Sequence, residues 1–234
     1  MSISRSRIDR FISEKCNMNR RNVRLLLAQN RIVVDGDVAK DTSLIIDKFS
    51  TITLDDKLLQ SNKASYVMLH KPIGVVSATK DKQHKTVVDL LNQPEKDELH
   101  IVGRLDLNTS GLVLLTNDSR WSERLTQPES KVTKRYTVTL QNPLTEEYID
   151  AFQKGMYFSY EDITTRPATL SILSSYVAQV DLVEGRYHQI KRMFGRFRNP
   201  VMALHRHSIG SLQLDETLLP GQSRYLTSEE VAII

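Results

Sequence analysis

The sequence predicts an α+β protein in two parts, a short helix-and-hairpin segment followed by a larger strand-rich one. Three observations predict it. Beyond Tyr66, strand-like stretches outnumber helix-like ones and do not alternate with them regularly. Before it, two short helical periods run into Asp35-Gly36, a dipeptide that tolerates positive φ and marks a hairpin. Charge also divides the chain: 32 Lys and Arg against 28 Asp and Glu leave a net +4, but the first 31 residues alone carry eight bases and two acids. Residues 64–234 hold twenty of each sign, so the net charge lies wholly in the front segment.

In chain order, Ile8, Phe11 and Ile12 give helical spacing over 7–15, and Val23, Leu26 and Leu27 repeat it over 20–29 behind an Asn19 cap. RIVVDGDVAK supplies the hairpin, and Ser50 to Leu54 alternates as a further strand. Arg20, Arg21, Arg24 and Arg31 crowd the second helix and its exit. Such a run is often a solvated face, but solvated faces usually mix signs, and this one lacks acids. Polar DKLLQSNKAS predicts a linker at 61–65, which separates a domain over 1–60 from one over 66–234. Strands are expected in YVMLHKP, GVVSAT, LHIVGRL, GLVLLT, KRYTVTL, ATLSIL, YVAQVDLVEG and HRHSIGSLQL. Helices are expected in TVVDLL, SRWSERLTQ, TEEYIDAFQKG, YHQIKRMFGRF and SEEVAII, the last opened by Thr227 and Glu230 at capping-box spacing.

Composition excludes several classes. Hydrophobic residues make up 40% and charged residues 26%, ordinary for a globular chain. No apolar run approaches a membrane span, and the N-terminus has a basic start without an apolar h-region, so a cytoplasmic protein is expected. The single cysteine, Cys16, forbids an internal disulfide and a cysteine-based zinc site. Glycine-rich nucleotide loops, H-E-x-x-H and G-x-S-x-G are absent. His205 and His207 share a strand face but have no carboxylate or cysteine at ligand spacing, so no metal is expected.

The stretch HIVGRLDLNTSGLVLLTND, residues 100–118, stands out. Asp106 lies in a polar turn between two apolar strands, where a carboxylate is costly unless bonded or paired. The residues alone leave two readings: an Asx-type turn in which Asp106 caps its own loop, or a carboxylate held for chemistry. A second pattern is the acid-free segment 185–214, with Arg186, Lys191, Arg192, Arg196, Arg198 and Arg206 joined by His188, His205 and His207. It has the make-up of a phosphate-binding wall. Phe194 and Phe197 within it have helical spacing and are expected to pack the core.

GRLDLNTSGLVLLTND resembles the aspartate loop of the pseudouridine synthases, in the branch acting on small-subunit ribosomal RNA (the RsuA family). HKPIGVVSAT, KRYTVTL, EGRYHQIKRMF and LHRHSIGSLQLD match further family motifs in order, and residues 3–60 resemble an S4-type RNA-binding domain. RWSERLTQP, KGMYFSYEDITTRPATL and LLPGQSRYLTSEEV are similar to the 16S enzyme rather than to its large-subunit cousins. The resemblance implies an S4-like domain, αα plus β-hairpin, followed by a catalytic domain on a mixed, mainly antiparallel sheet with flanking helices. It implies isomerisation of a 16S ribosomal RNA uridine, position 516 in the family, with no cofactor. A carboxylate suits cleavage of the C1′–N1 bond because it can attack C1′ or stabilise oxocarbenium character there, and can leave again.

On the matching positions, the resemblance assigns Asp106 as nucleophile, Tyr136 as the tyrosine lying against the base, and Lys191 as the cation that keeps Asp106 ionised. Lys in place of the arginine of many relatives implies a looser, single contact. Without the resemblance, Tyr136 is an ordinary core tyrosine, and Lys191 with Arg192 an exposed helix face. A paired uridine must be flipped out before it can react. Expected RNA contacts are Arg7, Arg20, Arg21, Arg24, Arg31, Arg104, Arg186, His188, Arg192 and Arg206. The expected partner is 16S RNA or a small-subunit assembly intermediate, met by a monomer. Two alternatives stay open: action on a 23S uridine, or a noncatalytic RNA-binding assembly factor.

Overall fold

The computed structural model describes residues 5–233; the first four residues of the expected front segment, and Ile234, lie outside the described residues. The chain divides into two compact units at Ala64 and Ser65.

In the first unit, β1 (Ser6–Arg7) leads into α1 (Ile8–Lys15) and α2 (Arg20–Ala28). The Asn19 side chain caps α2 by accepting from the Asn22 amide at 2.9 Å. Strands β2 (Ile32–Val34) and β3 (Asp37–Val38) close around Asp35 and Gly36, both at positive φ as a type I′ turn requires. Short β4 (Ile45–Ile46) pairs with β1, and β5 (Ile52–Leu54) pairs with β2. Next comes β6 (Lys57–Gln60), which corrects the expectation that all of DKLLQSNKAS is linker. Asp55 and Asp56 both take positive φ and turn the chain back on β5. Ile8, Ile12, Val23, Leu27, Ile32 and Ile52 form the core of this unit.

The second unit is built on a nine-stranded, mainly antiparallel sheet. Its strands are β7 (Tyr66–Lys71), β8 (His100–Val102), β9 (Ser110–Thr116), β10 (Lys134–Leu140), β13 (Thr169–Ser174), β14 (Val177–Leu182), β15 (Val201–Ile209), β16 (Leu212–Gln213) and β17 (Ser223–Tyr225). Beside it, β11 (Tyr157–Phe158) and β12 (Ile163–Thr164) form a separate hairpin. The sheet order is β13-β14-β10-β15-β9-β7-β17, with β8 added to β9 and β16 to β15. Helices α3 (Ser119–Thr126), α4 (Glu147–Lys154), α5 (Gln189–Gly195) and α6 (Ser228–Ala232) flank it, and the expected Thr227–Glu230 capping box opens α6.

Two expectations need correction. GVVSAT is not a strand but a turn and bends around one isolated bridge from Val76 to Thr86, and TVVDLL makes only a 3-10 turn at Val88–Leu90. Local propensity over six residues is a weak signal, and tertiary context overrides it in both segments. Phe194 and Phe197 pack against Tyr148 in the core as expected.

One irregularity places the site. β7 pairs along all of β9, from Tyr66 with Thr116 to Lys71 with Gly111. The opposite edge of β9 is shared: β15 pairs in parallel with Ser110 and Gly111, and β8 antiparallel with Leu114 to Thr116. Between them the sheet splits, and the loop 103–109 leaves from that split. Gly111 is obligatory there. It has φ +113°, and a Cβ would lie 2.2 Å from the Arg206 carbonyl oxygen. Gly111→Ala is expected to cost about 3 kcal/mol or more in unfolding free energy, measured by urea denaturation; a loss within error of zero would contradict the close parallel pairing.

Two histidines on β15 bear on pH stability. His205 bonds Ser110 at 2.8 Å, and its ring lies near those of His70 and His207. Burial, then the neighbouring His207 and His70, pushes it down to about 4. His207, bonded to Thr137 at 2.8 Å, shifts the same way through burial and Arg135. Between its ordinary pKa and about 4, the unfolded chain binds a proton that folded His205 refuses, so stability falls as pH drops through that window. Since the ring is only about half buried, the loss is expected to be on the order of 1 kcal/mol. His205→Gln should flatten the change in urea midpoint between pH 7 and pH 5; an unchanged slope would assign the acid sensitivity elsewhere.

Candidate active site

Loop 103–109 carries Asp106 into a cleft of about 690 Å³. Three buried anchors hold the loop. The Lys71 ammonium, fully buried at the end of β7, donates to the carbonyls of Thr109 at 2.7 Å, Asp106 at 2.9 Å and Pro72 at 3.1 Å, with Leu107 at 3.4 Å. Burial lowers its pKa to about 8, so it remains largely protonated at neutral pH. Ser77 brackets Leu105, donating to its carbonyl at 2.7 Å and accepting from its amide at 3.0 Å. Arg206 fills the split in the sheet. Its Nε donates to the Leu112 carbonyl at 2.8 Å and its Nη2 to the Gly103 carbonyl at 2.7 Å, satisfying backbone groups that the divergence of β8 and β15 leaves unpaired.

With its backbone fastened, Asp106 turns its carboxylate outward. Oδ2 accepts from Lys191 Nζ at 3.0 Å, and Oδ1 lies 3.3 Å from His188 Nε2. Neither oxygen caps the loop's own amides, which disposes of the Asx-turn reading. Lys191 makes one contact rather than a bidentate fork, as its residue type implies. The Asp106 side chain retains 31% exposure, so it is paired yet open to the cleft. Tyr136 lines the same cleft from β10, its ring mostly buried and its hydroxyl without a hydrogen-bond partner among the described residues. The structure therefore brings Asp106, Tyr136 and Lys191 together.

His188 and Lys191 reach the carboxylate because the segment before α5 is rigid. Buried Glu184 accepts from Gln189 Nε2 at 2.7 Å, the Arg166 amide at 2.9 Å and Arg186 Nε at 3.1 Å. His188 itself takes φ +49°, and its ring stacks on Tyr187 at 3.9 Å.

Several expected RNA contacts sit differently from their neighbours in sequence. Arg206 has 2% exposure and both ends of its guanidinium on carbonyls, so it is an internal clamp and not an RNA-facing side chain. Arg192 is tied to Glu161 by two bonds of 2.5 Å and lies over the Phe158 ring, which fastens α5 to the β11–β12 hairpin. His188 is turned to Asp106. In the first unit, Arg7 is neutralised by buried Asp9 and Arg31 by Asp55. Arg20, Arg21 and Arg24 are exposed and make no ion pair among the described residues. Arg104 and Arg186 line the cleft, Arg104 exposed and Arg186 sharing one bond with Glu184. Sequence reasoning missed Lys71, Ser77, Glu184 and the carboxylate contact of His188. HKP, VSAT and EGRYHQ carry them, but nothing in their local pattern says that they converge. No cluster of three or more metal-ligating side chains exists among the described residues.

Known proteins share this architecture. Residues 65–195 match the model of a family described as RNA pseudouridylate synthase. A Pseudomonas aeruginosa protein named ribosomal small subunit pseudouridine synthase A is 48% identical, over 97% of this chain and all of its own. The Escherichia coli K12 protein of that name is 38% identical over 97% and 99%. A solved structure described as a pseudouridylate synthase, 38% identical, superposes with a TM-score of 0.70 over 97% of this chain and 98% of that one. This chain belongs to the RNA pseudouridylate synthase family. Within it, it groups with the relatives named ribosomal small subunit pseudouridine synthase A.

Proposed function

We propose that the protein isomerises one uridine of 16S ribosomal RNA, position 516 by family resemblance, with Asp106 as nucleophile. The observation that carries this reading is a single carboxylate, open to the cleft, flanked by Lys191 and His188 and facing Tyr136. As the C1′–N1 bond breaks, its electron pair goes to the base and Asp106 attacks C1′. The base turns, C5 bonds to C1′ as the carboxylate leaves, C5 loses its proton and N1 gains one. Substrate and product are isomers, so no outside reactant is consumed. Asp106 is the only carboxylate lining the cleft among the described residues, and a glycosidase would need a second to activate water. Lys191 pairs with Asp106 and orients it, and Tyr136 supports the base and accepts the C5 proton.

Chemical pseudouridine mapping on unmodified 16S transcript and on small-subunit particles assembled from it tests the reading. Conversion of a single 16S uridine is expected. No conversion, with RNA still bound, would leave an assembly factor, and conversion in 23S RNA would move the substrate. Lys191→Met should lower the saturated rate by about 10²-fold with RNA affinity little changed; an unaltered rate would remove Lys191 from the chemistry.

The first unit, in the S4-like reading, supplies RNA affinity. On α2, Arg20, Arg21 and Arg24 are exposed and unpaired among the described residues. Changing all three to Gln should lower the salt dependence of RNA binding by about two to three counterions while sparing the rate at saturation. An unchanged salt slope would exclude this helix from the RNA interface.

A further inference from the structure

Lys134 opens β10 two residues before Tyr136, on the same face of the strand, and lines the cleft with it. Unlike those of Lys71, Lys191 and Arg206, its side chain has no protein partner among the described residues. Lys71 donates to carbonyls, Lys191 holds Asp106, and Arg206 clamps Gly103 and Leu112. The Lys134 ammonium makes no hydrogen bond or ion pair among the described residues. It nevertheless lies well inside the wall, where burial and then the nearby Arg206 push its pKa down to about 8. A cation set in a wall beside another cation, with no anion to meet it, is unfavourable in the empty protein. It is at ease only when something electronegative enters the cleft.

We infer that Lys134 contacts the substrate base and stabilises the negative charge that uracil acquires when its bond to C1′ breaks. Heterolysis leaves the electron pair on the base, where it spreads over N1, O2 and O4. An ammonium partly withdrawn from water beside those oxygens stabilises them more than it stabilises the neutral uridine, which is the condition for lowering a barrier. When C5 bonds to C1′ and N1 regains a proton, the base is neutral again and Lys134 lets it go. A backbone phosphate is the less suitable occupant, because it carries its charge throughout and is met at lower cost by Arg104 and Arg186, which are exposed. The inference rests on the proposed isomerisation.

Lys134→Met tests it, with Lys134→Gln as a second variant, on the unmodified 16S substrate. At saturating RNA the single-turnover rate should fall about 10²-fold, with RNA Kd and its salt slope unchanged. The melting temperature should hold or rise, because the substitution removes a partly buried cation and orphans no partner. Weaker binding, with a salt slope reduced by about one and the saturated rate intact, would make Lys134 a phosphate contact and overturn the inference. A lowered melting temperature with activity lost in proportion would make it structural and overturn it equally. Conversion by the wild type and both variants alike would sink this inference alone, whereas no conversion by the wild type would sink the proposed function and this inference with it.

Discussion

Asp106→Asn should abolish pseudouridine formation, with a loss of at least about 10⁴-fold in the saturated rate. The substitution keeps the shape of the side chain and leaves the loop anchors untouched, since Lys71, Ser77 and Arg206 all bind backbone atoms and not the carboxylate. Folding and RNA affinity should therefore survive. The amide can still face Lys191 and His188, but it cannot form an ester with C1′ or balance oxocarbenium charge. Removing the negative charge also leaves Lys191 unpaired, which costs little because the group is only partly buried. Full activity in this variant would refute the nucleophile assignment while leaving family membership intact, so the measurement separates the mechanism from the fold.

Lys71→Met should be nearly as damaging by a different route. Lys71 lies behind the loop and has no access to a substrate; its ammonium gathers the carbonyls of Pro72, Asp106, Leu107 and Thr109 around one buried point. Met fills much of the volume but takes one donor from each of those carbonyls; Leu107 and Asp106 keep the amides of Gly74 and Thr109, and the cost is about 2 kcal/mol in unfolding free energy after the relief of a buried charge is set against it. The larger effect is geometric. A displacement of Asp106 by about 1 Å from its place between Lys191 and His188 is enough for roughly 10²-fold in rate. Both losses should appear together, in urea unfolding and in pseudouridine mapping. A variant as active and as stable as the wild type would mean that Ser77 and Arg206 hold the loop unaided.

What could be read from the sequence was local. Asp35-Gly36, the Asn19 cap and the Thr227–Glu230 box are short-range devices, and each is made by residues within three or four positions of one another. Asp55-Asp56 is equally local but lacks the glycine that advertises a positive φ, so β6 was legible only as a polar stretch. The candidate site was legible through motif order: Asp106, Tyr136 and Lys191 stand on three separate elements, nothing but resemblance joins them in a sequence, and all three line one cleft.

Arg206 and Lys134 show what a sequence withholds. As letters, Arg206 belongs to the basic run of 185–214, and Lys134 only opens the strand motif KRYTVTL with no role of its own. Burial reverses their standing, because the division of the β9 edge between β8 and β15 leaves carbonyls that only a long internal donor can reach. By itself the sequence determined the α+β class, the basic front segment, the hairpin turns and the order of the motifs, all set by neighbours along the chain. The tertiary structure alone decided which cations are clamps, which are paired and which stay unpaired among the described residues. A charge's role depends on the dielectric and on partners up to a hundred residues away, and neither is written in its neighbours.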